Sequence, residues 1–83
     1  MILYLRKGEI LLNNSNLQKL ANEVKIQRSK RGWTQSQLSM ISKVSNIEII
    51  KIEGCKLNPR PTTLIKLANA LGIQDTIFLK YLD

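Results

Sequence analysis

The sequence predicts an all-α domain of five short helices behind an N-terminal arm. Three observations carry that reading. From Leu17 onward, apolar residues recur at helical spacing, which places them on one face of successive helices. Ser15, Thr34 and Ser45 are each followed three residues later by Gln or Glu, a pattern in which the two side chains cap each other's backbone N–H groups. Gly32, Gly54 and Gly72 stand just beyond the periodic runs, where helices end readily on a residue free to adopt positive φ.

The arm, residues 1–14, holds Ile2, Leu3, Tyr4 and Leu5, then Ile10, Leu11 and Leu12, around Lys7-Gly8. It reads as a β-strand or small hairpin turning at Gly8, and equally as a disordered or weakly helical segment. Two short strands are marginal alone, so strands here are expected to pair with another chain or to pack on the helices. Asn13-Asn14-Ser15-Asn16 is a polar break, and the helical domain is expected over residues 15–83. Its first helix starts at Ser15 with Gln18, carries Leu17, Leu20, Ala21, Val24 and Arg28 on one face, and stops at Gly32.

Thr34 with Gln37 opens a second helix whose inward residues are Leu38 and Ile41. Ser45 with Glu48 opens a third, with Ile49 and Ile52 inward and Gly54 closing it. Residues 34–54 are thus two short helices around a turn, a unit suited to holding its second helix in the DNA major groove. A loop over 55–61 leads to Pro61, which suits a first helical position. The fourth helix carries Leu64, Leu67, Ala68 and Leu71 and stops at Gly72. Asp75 caps a last helix bearing Ile77, Phe78, Tyr81 and Leu82, residues expected in the core or at a dimer interface.

Composition narrows the function. Eighty-three residues make one domain, and no apolar run approaches the roughly 18 residues of a membrane span. The charges Arg6 and Lys7 follow the first apolar stretch, the reverse of a secretion signal, so a cytoplasmic location is expected. One cysteine and no histidine argue against a disulfide or zinc site, and no cofactor is expected. Six dispersed acids form no catalytic pair and no glycine-rich phosphate loop is present, so the chain does not read as an enzyme. A net charge of +7 calls for an anionic partner. Lys25, Arg28, Lys30, Arg31, Lys43, Lys51, Lys56 and Arg60 all fall in or beside the two-helix unit.

Arg28…Arg31-Gly32-Trp33-Thr34-Gln35…Leu38, then Val44-Ser45…Ile49…Ile52-Glu53, Asn58-Pro59 and Leu64…Leu67-Ala68-Asn69-Ala70-Leu71-Gly72 follow one another without gaps. Together they resemble the Cro/repressor-type (XRE-like) helix-turn-helix family of bacterial and phage DNA-binding proteins, over about residues 17–79. The resemblance implies a five-helix, lambda-repressor-like domain. It implies a buried ion pair between Arg28 and Glu53 that fixes the groove-reading helix. Base reading would fall to Ser45, Asn46, Ile47, Ile50 and Lys51, with Asn46 suited to adenine and Lys51 to guanine. Thr34, Gln35, Lys43, Lys56, Asn58 and Arg60 would contact phosphate. Trp33 is expected to pack between the first two helices.

Three departures stand out. Lys43 occupies a turn position where the family usually has glycine, at a cost of about 1 kcal/mol if left-handed. Gly54 directly follows Glu53, so that Cys55 sits where glycine is usual. Ile47 and Ile50 lie on the face expected to read bases, and Glu48, near the same surface, would repel phosphate. Isoleucine can touch thymine methyl groups, pointing to an A·T-rich site; alternatively, that face meets a protein. The resemblance therefore implies a homodimeric transcriptional regulator on two-fold symmetric double-stranded DNA. The competing expectation is a protein-interaction module, such as an antitoxin covering a toxin.

Overall fold

A computed structural model describes residues 3–5, 9–11 and 14–82. In the arm, β1 (Leu3–Leu5) and β2 (Glu9–Leu11) pair antiparallel, with Tyr4 opposite Ile10. The turn assigned to Gly8 lies outside the described residues. Five helices follow: α1 (Asn14–Lys30), α2 (Gln35–Ser42), α3 (Asn46–Glu53), α4 (Pro61–Leu71) and α5 (Thr76–Leu79). The all-α domain read from the sequence is the one observed.

Its core is built from the periodic residues. Leu20 and Val24 of α1, Leu38 of α2, Ile49 and Ile52 of α3, Leu64, Leu67, Ala68 and Leu71 of α4 and Phe78 of α5 form one buried cluster with Val44. Helix α2 packs on α3 and α4, α1 on α3 and α5, and α4 on α5. Trp33, half-buried, packs against this cluster. No helix among the described residues is long and apolar enough to cross a membrane.

Helix ends explain where the elements stop. Gly32 (φ 68°) and Gly72 (φ 69°) are left-handed, and the following residue returns its N–H to a carbonyl one turn back, Trp33 to Arg28 and Ile73 to Ala68. The end of α3 differs from the sequence reading. Gly54 has an ordinary φ of −91°, and Cys55 takes the left-handed position at φ 59°. The bonding is nonetheless the same, with Lys56 N–H to Lys51 O at 2.8 Å and Cys55 N–H to Ile52 O at 3.2 Å. With glycine one place early, the geometry of the cap falls on cysteine.

Three further expectations need correction. Helix α1 already includes Asn14, so Ser15 lies inside the first turn and Gln18 bonds Asn22 instead. Ile41 is 47% exposed, because the buried face of α2 runs from Leu38 to Ser42 and Ile41 lies around the helix from it. Asp75 makes no side-chain cap, and α5 is a single turn.

Candidate nucleic-acid interface

Two caps set the orientation of the two-helix unit. Thr34 Oγ1 accepts the Gln37 N–H at 3.0 Å, and Gln37 Oε1 accepts the Thr34 N–H at 2.7 Å. At α3, Ser45 Oγ accepts the Glu48 N–H at 3.1 Å. Between the helices, Lys43 is left-handed at φ 63°, so this turn does bend at a lysine. Serines stitch it: Ser39 Oγ donates to Val44 O, and the buried Ser42 Oγ accepts the Val44 N–H.

The inner side of α3 is anchored by charge as well as by Ile49 and Ile52. Arg28 Nε donates to Glu53 Oε2 at 2.8 Å and Arg28 Nη2 to Glu53 Oε1 at 2.9 Å, while Arg28 Nη1 donates to Trp33 O at 2.7 Å. Gln35 Nε2 adds a third bond to the carboxylate, to Oε1 at 3.0 Å. The Glu53 side chain is only 2% exposed. The hydrogen bonds that Arg28 donates to Glu53 raise its pKa above the ordinary value. One guanidinium thereby ties α1, the α1–α2 junction and the end of α3.

The outer side of α3 is open. Ser45, Asn46, Ile47, Ile50 and Lys51 are all exposed, Ile47 at 66%. Thr34, Lys43, Lys56 and Arg60 are exposed around it. Gln35 and Asn58 are half-buried, with Asn58 Oδ1 enclosed. Glu48 is turned to the side, where it lines a depression of about 390 Å³ with Arg60 and Lys66. Sequence reasoning counted Arg31 only as one of the cations beside the unit and missed its role: its guanidinium donates to Gln27 O and Leu71 O. It joins the end of α1 to the end of α4, and only its place beside the Gly32 cap hinted at a carbonyl-binding role.

A family model described as helix-turn-helix, HTH_3, matches residues 24–78. The chain belongs to that family. Among solved structures, it resembles an HTH_3 family transcriptional regulator from Vibrio cholerae at 26% identity and a TM-score of 0.73, over 80% of this chain and 37% of that one. It also resembles a hypothetical transcription factor, NHTF, from Neisseria at 24% identity and a TM-score of 0.72, over 76% and 72% of the two chains. The chain thus spans little more than a third of the Vibrio cholerae protein, and the second likeness concerns the fold alone. No curated protein matches in sequence.

Proposed function

We propose that this protein is a sequence-specific, DNA-binding transcriptional regulator that acts as a homodimer. In this reading α3 lies in the major groove of a two-fold symmetric operator. The observation that carries it is the two-sidedness of α3. Ile49, Ile52 and Glu53 are locked inward, while Asn46, Ile47, Ile50 and Lys51 stand exposed between cationic turns. A rigid rod with one polar and methyl-bearing face is what base-edge reading requires. Asn46 takes an adenine edge, Lys51 a guanine, and the two isoleucines contact thymine methyls.

Lys43, Lys56 and Arg60 neutralise phosphates on either side, with Asn58 beside them in the loop. Thr34 still has its O–H to donate, and Gln35 its second amide N–H, at the head of α2. The Vibrio cholerae relative, a transcriptional regulator, supports the assignment. A location in the cytoplasm, on the nucleoid, follows from it.

A second reading is favoured by one observation: Met40 at 76%, Ile47 at 66%, and Ile41 and Ile50 at 47% are exposed large apolar residues on the two-helix unit. Such a surface also suits a protein partner, as for an antitoxin on its toxin.

Titration with random duplex DNA at two salt concentrations separates the readings. A steep loss of affinity with salt supports DNA binding, and no binding even at low salt supports the protein partner. On selected sites, Lys51→Ala is expected to relax base preference, whereas Lys56→Ala weakens all sequences alike. Identical behaviour of the two variants would show the division between reading and anchoring residues to be wrong.

A further inference from the structure

Helix α3 carries two carboxylates with different surroundings. Glu53 is held by Arg28 and Gln35. Glu48, by contrast, has no ion-pair partner within 4.0 Å among the described residues. It does not close a reciprocal cap either: Ser45 accepts the Glu48 backbone N–H, but the side chain does not return the bond as Gln37 does on α2. The half-buried Glu48 instead shares the 390 Å³ depression with Arg60, Thr62, Thr63 and Lys66. Lys51, three residues on, stands one turn along the same helix. Two cations and a carboxylate therefore border one space at the seam of α3 and the start of α4.

We propose that Glu48 is an internal competitor of DNA phosphate, which holds down the protein's affinity for the backbone of any duplex. The inference rests on the DNA-binding reading above and assigns it a residue that opposes binding. Without DNA, the carboxylate partly neutralises Arg60 and Lys66 across the depression. A phosphate approaching those cations must replace that attraction and meets a like charge. Because Glu48 is half-buried, water and salt screen it less than a fully exposed acid. Glu48 is also an acid in the first turn of α3 and favours the helix dipole there. That role alone predicts a small loss of stability on removal and no gain in affinity.

The experiment uses the full chain, the isosteric variant Glu48→Gln, and a fluorescent random-sequence duplex read by anisotropy at two salt concentrations. The expected result is binding about three- to tenfold tighter at low salt, with a steeper salt dependence. On an Arg60→Ala/Lys66→Ala background the gain is expected to shrink, because the two cations that share the depression with the carboxylate are then gone. Unchanged or weaker binding by Glu48→Gln, while the wild type binds, overturns this inference and leaves the proposed function standing. A gain undiminished on the double-alanine background also overturns it, since net charge alone would explain that result. So does a change of preference at a single base pair of a selected site, which would make Glu48 a base reader. Failure of the wild type to bind at low salt overturns the DNA-binding reading and this inference with it.

Discussion

Arg28 shows how much a single side chain can fix. Its three donated bonds end on two atoms of Glu53 and on Trp33 O, a planar fork that lysine cannot reproduce. Arg28→Ala leaves the Glu53 carboxylate enclosed, with the Gln35 amide still donating to it. The expected loss is about 3–5 kcal/mol of stability, measured by urea unfolding, because an uncompensated buried charge remains. Arg28→Lys is expected to recover only part of it. A loss below about 1 kcal/mol would mean the pair behaves as a solvated surface contact. Cys55 makes the opposite case. Its φ of 59° is a conformation that costs any residue with a Cβ, and its thiol has only weak contacts, 3.4 Å from Gln18 Oε1 and 3.7 Å from Leu17 O. Cys55→Gly is expected to stabilise the domain by about 0.5–1 kcal/mol, the relief of strain exceeding the added unfolded-chain entropy. Cys55→Ala keeps the strain and is the control; equal stability of the two variants would count against it.

The helices were legible wherever a local rule decided them. Thr34 with Gln37, Ser45 before α3, Pro61 at the start of α4, and Gly32 and Gly72 at helix ends all act over fewer than six residues, and each sits where the sequence puts it. Ser15 and Ile41 were misread because the deciding partners are elsewhere: nothing local says that α1 extends back to Asn14, or that α2 turns Ser42 rather than Ile41 to the core. Of the interface, the exposed face of α3 follows from the burial of Ile49 and Ile52 three residues apart. The sideways placement of Glu48 and the reach of Arg31 to Leu71 depend on α4; the first had no local signal, and the second only the nearness of Arg31 to Gly32. The two caps also differ in a testable way. Gln37→Ala removes the acceptor of the Thr34 N–H and is expected to cost about 0.5–1 kcal/mol. Glu48→Gln, at the corresponding place in α3, is expected to stay within about 0.5 kcal/mol of wild type. Thermal unfolding of both variants checks the difference, and equal costs would restore Glu48 to a capping role.

For the whole molecule, the length of α3 sets what one copy can read. Eight residues make a rod of about 12 Å, little more than two turns, and in the proposed function its exposed face is the part that meets base edges. At about 3.4 Å per base pair, that face meets roughly three or four base pairs, too few to single out an operator by hydrogen bonds worth about 1–3 kcal/mol each. A net charge of +7 adds affinity without adding choice of sequence. Two copies related by a two-fold axis double the number of base pairs read while using the same residues, and B-form DNA repeats its major groove on one face every 34 Å or so. Hydroxyl-radical footprinting on a selected site is therefore expected to show two protected half-sites about 10 base pairs apart, with two chains per site by sedimentation. A single protected half-site with one chain bound would remove the homodimer from the proposed function. The rigid presentation of α3 by Arg28 and Glu53 would then have to serve a monomer that gains its specificity from contacts beyond this helix.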